Sequence, residues 1–204
     1  MLRSDASKLF SLARSPLARR RYRMAVAVGA IVVISSIAAA PGWQGLLGAA
    51  LAGLMLGIAV VDGRRYVIPD ALTVPAFLLG LVHETVINGP RLTDALLASL
   101  TRAGVAALAL LAVLLIYKWV RGQDGLGFGD VKLAAVAGAW LNALTILGVI
   151  EAAALTAIAV TLYLGRLRTR QIRRRSVVPF GLYFAPMIWL GWLTETVLAR
   201  WFAL

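Results

Sequence analysis

The chain contains no cysteine and a single histidine, His83. The absence of cysteine excludes disulfides, thiolate metal sites and a catalytic thiol. One histidine provides no cluster of imidazole ligands, and no Gly-x-Ser-x-Gly segment is present to carry a serine nucleophile. We therefore expect no metal and no cofactor, and any hydrolytic chemistry must depend on other side chains.

Acidic residues are also scarce, with 9 Asp and Glu against 21 Lys and Arg, which gives a net charge of +12. Such a charge can indicate nucleic-acid binding, but no aromatic stacking platform accompanies the basic residues. The arginines instead flank long apolar segments, where they would meet anionic lipid. We expect membrane lipid as a partner and no nucleic acid.

Apolar residues dominate the chain, at 61% of the sequence with a mean hydropathy of +0.85. This composition predicts an all-α, polytopic membrane bundle. The apolar run 131–165 is far too long for one crossing, so we divide it near Asn142. The division gives about seven transmembrane helices, at 24–40, 45–61, 71–88, 97–119, 131–143, 145–165 and 179–199.

The distribution of basic residues predicts a cytosolic N-terminus. With seven spans, all 21 Lys and Arg except Arg91, Arg102 and Arg200 fall on the cytosolic side. Merging the fifth and sixth spans would place the loop with six arginines between residues 166 and 175 outside the cell, so the charge distribution favours seven spans. We accordingly expect a basic cytosolic segment (1–23), an additional uncleaved transmembrane helix with a short turn (24–44) and a main membrane domain (45–204).

Two aspartates lie where an apolar span meets a cytosolic loop: Asp62 ends the second span and Asp130 begins the fifth. A carboxylate close to hydrocarbon is costly unless it is paired, hydrated or neutralised, so two at similar depth suggest a shared aqueous site. Asp62 is the stronger candidate, because the helix dipole disfavours a negative charge at a helix C-terminus. Asp130 could serve only as the N-cap of the following helix.

Several neighbours of these aspartates are candidates for binding a substrate: Gly127, Gly129, Asp70, Asp124 and Lys132. Glycines alternating before Asp130 should keep the backbone out of regular helix and admit an extended chain. Asp70 follows Pro69 at the start of the third span, where capping is its expected main role. Asp124 could simply be solvated.

The remaining ionisable groups within spans are His83, Glu84, Glu151 and Glu195. Such groups can form an ion path, but these are spread over different helices. Interhelical hydrogen bonding or interfacial placement fits them better. The small-residue steps Gly53/Gly57 and Ala134/Gly138 would allow close helix approach, between the aspartate helices or in a homo-oligomer.

Five parts of the sequence form a combined pattern: Asp62, Ile68-Pro69-Asp70-Ala71-Leu72-Thr73, Gly127-Phe128-Gly129-Asp130-Val131-Lys132-Leu133, Ala137-Gly138-Ala139-Trp140-Leu141 and Pro179-Phe180-Gly181. This pattern resembles the type IV prepilin peptidase family. The resemblance implies an intramembrane aspartic protease of the Gly-x-Gly-Asp type that cleaves the basic leader of prepilins or pseudopilins. It also implies that Asp62 and Asp130 are the catalytic pair.

Many members of that family also carry an N-methyltransferase region with a four-cysteine metal site between the first two spans. Here only Pro41–Gln44 join those spans, so the chain resembles the short, peptidase-only form and we expect no methyl transfer. Presenilin-like proteases pair a Tyr-Asp motif with Gly-x-Gly-Asp, whereas Val61 precedes Asp62 here. The alternative from another class is a non-catalytic transporter or a pilus or secretion assembly factor.

Overall fold

The computed structural model describes residues 16–88, 91–122, 127–167 and 178–202. Within these ranges the chain forms α-helices and no strands, so the prediction of an all-α bundle is confirmed. The helices are α1 (Pro16–Ala39), α2 (Trp43–Arg65), α3 (Asp70–Asn88), α4 (Leu92–Arg121), α5 (Phe128–Trp140), α6 (Ala143–Leu167) and α7 (Phe180–Phe202).

Five of these helices, α2, α3, α4, α6 and α7, are long and apolar enough to cross a membrane. The chain is therefore a multi-pass membrane protein. The other two differ from the predicted spans: α1 has a shorter apolar part, Val26–Ala39, and α5 has only 13 residues. At about 1.5 Å per residue, α5 reaches about 20 Å, less than the roughly 30 Å hydrocarbon core.

The division of the long apolar run near Asn142 is confirmed, because α5 ends at Trp140 and α6 begins at Ala143. Leu141 has an extended backbone, with φ −117° and ψ 156°. The Asn142 N–H donates to Glu195 Oε1 of α7 at 2.8 Å. A side chain from another helix thus satisfies a backbone donor that the break would otherwise leave without a partner.

Side chains of α4 bind the backbone at the other side of this break. Ser99 Oγ donates to the Ala139 carbonyl at 3.1 Å, and Arg102 Nε lies 3.4 Å from the Gly138 carbonyl. Arg102 also forms an ion pair with Glu84 of α3. The C-terminal carbonyls of α5 are therefore held by polar groups built into the neighbouring spans.

Close helix contacts occur where glycines face other helices. A Cβ at Gly138 would lie 2.4 Å from the Ala103 Cα, so α5 packs directly on the α4 backbone. Gly53 of α2 faces open space instead. Of the two alternatives left open for these steps, close approach between the aspartate helices does not occur: α2 packs on α1, α3 and α7, whereas α5 packs mainly on α4 and α3.

Candidate active site

Four helix ends meet at one end of the bundle: the C-terminus of α2 and the N-termini of α3, α5 and α7. The helix bounds differ slightly from the predicted ones here. Helix α2 continues to Arg65, so Asp62 lies in its last turn rather than at its end. Asp62 and Asp130 are both buried, each with 5% exposure.

Asp62 is stabilised by the start of another helix. Its Oδ2 accepts the backbone N–H of Leu182, in the first turn of α7, at 2.9 Å, and the Gly181 backbone provides a second hydrogen bond. The first N–H groups of a helix have no partner within it and carry a partial positive charge. The N-terminus of α7 thus compensates for the unfavourable position of Asp62 at the C-terminal end of α2.

Asp130 is the third residue of α5, so the alternative prediction that Asp130 itself is the N-cap is wrong. Gly127 is the N-cap, with an extended backbone at φ −79° and ψ 144°. The Gly127 N–H donates to Asp130 Oδ2 at 3.1 Å, and the Asp130 N–H donates to the Gly127 carbonyl at 3.0 Å. Gly129 lies inside α5, contrary to the expectation that it keeps the chain non-helical.

The second oxygen of Asp130, Oδ1, is buried and has no hydrogen-bond partner among the described residues. Asp130 lies at the start of α5, outside the five apolar spans. Burial raises the pKa of Asp130 to about 7; the Gly127 N–H opposes this rise, and the charge of Asp62 adds to it. The two carboxyl groups therefore interact electrostatically, and Asp130 can retain its proton close to neutral pH.

Two of the predicted substrate-binding residues, Asp70 and Lys132, contact each other. Asp70 and Lys132 form an ion pair across the N-termini of α3 and α5, and the Lys132 ammonium lies 5.7 Å from the Phe128 ring centre. The expected capping role of Asp70 is wrong, because the Pro69 carbonyl accepts the N–H of Thr73 and Asp70 instead binds Lys132. Asp124 lies outside the described residues.

The other ionisable groups do not form one cluster in the described part of the chain. His83 is buried, and its Nε2 accepts the Trp192 indole N–H at 3.0 Å. Glu84 pairs with Arg102, Glu195 binds the Asn142 N–H, and Glu151 is exposed on α6. The prediction of interhelical hydrogen bonding is therefore confirmed for His83, Glu84 and Glu195. No group of three His, Asp or Glu able to hold a metal occurs among the described residues.

Residues 49–162 match the model of the type IV leader peptidase family. The chain belongs to this family. The matched region contains both aspartates, the Asp70–Lys132 pair and the break between α5 and α6. The resemblance predicted from the motifs is therefore confirmed.

Curated relatives are named prepilin leader peptidase/N-methyltransferase. The Aeromonas hydrophila protein is 27% identical over 191 residues, covering 93% of this chain and 63% of the relative. The Klebsiella pneumoniae protein is 34% identical over 127 residues, 62% of this chain and 54% of the relative. The chain thus spans less than two thirds of the length of these relatives. No solved structure gave a significant match.

Two features of the site were missed by reasoning from the sequence: the contact of Asp62 with the start of α7, and the position of Ile68 between α5 and α7. Both Gly181 and Ile68 belong to the motifs that carried the family resemblance. Their presence in those motifs was the available signal. Their roles depend on tertiary contacts that residue patterns do not specify.

Proposed function

We propose that this protein is a membrane-embedded aspartic endopeptidase that removes the basic leader of type IV prepilins or pseudopilins. Cleavage would take place at the cytosolic face of the bacterial inner membrane, in support of type IV pilus assembly or protein secretion. The observation that carries the proposal is that two buried carboxyl groups, Asp62 and Asp130, lie at the same end of the bundle, where the neighbouring backbone packs on Ile68, in a chain of this family.

In the proposed mechanism the two aspartates differ in protonation. Peptide hydrolysis requires one ionised carboxylate to deprotonate water and one protonated carboxyl to polarise the scissile carbonyl. The N-terminus of α7 supports a negative charge on Asp62, which is therefore assigned as the base. Asp130 is assigned as the acid, with its proton on the unpartnered Oδ1 available to the substrate carbonyl.

The two residues would share their protons as a coupled pair. Two carboxylates in close proximity cannot both ionise cheaply, so deprotonation of one favours protonation of the other. After attack by water, the proton taken by Asp62 would be passed to the leaving amine while Asp130 regains its own. The roles then reset for the next cycle without any further group.

Substrate charge fits the same end of the bundle. A basic leader would meet the exposed carboxylate of Asp70, whose side chain is 66% exposed, although Lys132 partly neutralises it. Gly127 and Gly129 would let an extended peptide approach the start of α5. We expect no methyl transfer, because the three residues between α1 and α2, residues 40–42, are too few to hold a methyltransferase region.

Co-expression with a candidate prepilin from the same genome tests the proposal. Cleavage of the leader should appear as a faster-migrating pilin on a gel, with an N-terminal sequence that begins after the basic leader. The variant Asp94→Asn is a matched control, since Asp94 is an exposed aspartate in the first turn of α4. If prepilins of every type encoded by that genome remain uncut, the proposed activity is refuted.

A further inference from the structure

The short loop between α2 and α3 directs one apolar side chain into the bundle. Tyr66 and Val67 are 56% and 57% exposed, whereas Ile68 is only 9% exposed. Tyr66 has a left-handed backbone with φ 55°, a conformation that is uncommon for a bulky residue. Tyr66 thus ends α2 in a left-handed conformation, and Ile68, two residues later, is the buried residue of the loop.

Ile68 lies against the backbone that positions both carboxyl groups. A Cβ at Gly129, next to Asp130, would be 2.8 Å from the Ile68 Cβ. A Cβ at Gly181 would be 2.8 Å from the Ile68 Cδ1 and 2.9 Å from Asp62 Oδ2. A larger residue at either position would require Ile68 or Asp62 to shift, and the isoleucine occupies the space between the N-termini of α5 and α7.

An extended peptide that reached both aspartates would need this same space. With Ile68 withdrawn, the glycines on both sides would leave room for a peptide backbone, and the vacated space would suit an aliphatic side chain. On the proposed function, we infer that Ile68 occupies a substrate subsite for the apolar residue next to the scissile bond. Binding of substrate then requires Ile68 to withdraw with its loop.

The Asp70–Lys132 ion pair is placed to control this withdrawal. Asp70 is two residues after Ile68, and Lys132 is two residues after Asp130, so the pair ties the loop to α5. The side chains of Asp70 and Lys132 are 66% and 35% exposed, and an exposed pair contributes at most about 1 kcal/mol. A basic side chain of the substrate can therefore replace Lys132 at Asp70 at little cost and release the loop.

The subsite thus recognises two features of one peptide: a cation at Asp70 and an aliphatic side chain in place of Ile68. Neither feature alone would open and fill the site. The distance between these two binding positions would then help to select the bond that is cut. This account extends the proposed function from the catalytic pair to the choice of substrate.

Cysteine labelling tests the loop without any need for cleavage. The chain has no cysteine, so Ile68→Cys and Val67→Cys each provide a single thiol for a maleimide. The thiol at position 68 should react with the maleimide at least about tenfold more slowly than the thiol at position 67, because Ile68 is buried and Val67 is exposed. Equal rates at the two positions in the otherwise unchanged protein would overturn the inference.

Breaking the ion pair should accelerate labelling at position 68. Loss of about 1 kcal/mol corresponds to about a fivefold change in the open population. Asp70→Asn or Lys132→Gln should therefore raise the rate for Ile68→Cys by about two- to fivefold and leave that for Val67→Cys unchanged. Added tetralysine peptide should raise the labelling rate of Ile68→Cys in the same way, and tetraglutamate should not change it. If the labelling rate is unchanged in both variants and with tetralysine, the proposed control by the ion pair is refuted.

Kinetics of a cleaved prepilin give an independent readout. Ile68→Val and Ile68→Ala should lower KM, because a smaller side chain competes less well with the substrate, while kcat changes little. An unchanged or raised KM in both variants would overturn the assignment of the subsite. If no prepilin is cut at all, the proposed function fails, whereas the labelling result still decides whether Ile68 and the ion pair form a releasable plug.

Discussion

The carboxylate of Asp62 accepts the backbone N–H of Leu182, 120 residues further along the chain, at 2.9 Å. One acidic side chain from the end of α2 thereby binds the first turn of α7. This contact ties the C-terminal end of α2 to the N-terminus of α7. On the proposed function it also links catalysis to the packing of α7, since a shift of the α7 N-terminus would disturb the position of Asp62.

Replacement of Gly181 by alanine should test this link. The new Cβ would lie 2.9 Å from Asp62 Oδ2 and 2.8 Å from Ile68 Cδ1, so these side chains or the α7 backbone must shift. We expect Gly181→Ala to lower kcat by at least about tenfold, since small misplacements of catalytic groups are costly. Leader cleavage by purified protein in detergent measures the effect.

Gly53→Ala is the matched control for that variant. Gly53 lies on α2, the same helix as Asp62, but a Cβ there would meet no atom within 4 Å. Alanine is also more favourable than glycine in a helix by about 0.5–1 kcal/mol. This control should retain full activity, and equal losses in the two variants would contradict the special role assigned to Gly181.

The pH dependence of stability follows from the burial of Asp130. Its pKa is raised from 3.8 to about 7 by burial, so the unfolded chain loses this proton near pH 4 and the folded chain near pH 7. The unfolded state is therefore ionised first, and this group makes the fold less stable as the pH rises from about 4 to about 7. Thermal unfolding at several pH values should show a larger decrease in Tm over this range for the unmodified protein than for Asp130→Asn.

Catalysis should have a matching alkaline limit. If Asp130 donates its proton to the scissile carbonyl, kcat should fall about tenfold per pH unit above its pKa of about 7. A cleavage rate that stays constant up to pH 9 would show that no group with this pKa must be protonated. That result would remove Asp130 from the role of acid.

The ion pair between Arg102 and Glu84 should stabilise the break after α5. Arg102 also approaches the Gly138 carbonyl, so Arg102→Met removes contacts to two helices. Hydrogen bonds to charged groups contribute about 1.5–3 kcal/mol each, so we expect a clearly lower Tm in detergent. Arg91→Met, which changes an exposed arginine just before α4, is the control and should unfold like the original protein.

Much of the helical architecture could be predicted from the sequence, because hydropathy and helix breakers are local properties. The break near Asn142 was found in this way, since no single span could hold 131–165. Helix ends were less accurate: α1 begins at Pro16 rather than near residue 24, and α2 continues past Asp62. Arginines near the start of α1 are helix formers that hydropathy alone counts as loop.

The contacts of the site were harder to predict, because they join residues far apart in the chain. Asp70 carried a local signal for capping, yet its carboxylate binds Lys132, 62 residues away. Gly138 was correctly read as a close-approach residue, but its partner is α4 rather than α2. Sequence patterns identified residues that lie at this end of the bundle, and tertiary packing determined what each of them binds.

The most direct test of the account is the rate of leader cleavage by purified Asp62→Asn, Asp130→Asn and Asp94→Asn proteins in liposomes. Acid–base groups typically contribute about 10²- to 10⁴-fold, so the first two variants should lose at least that factor while remaining inserted and folded. The Asp94→Asn protein should cleave at the original rate. Full activity in either Asp62→Asn or Asp130→Asn would contradict the claim that these two carboxyl groups act together.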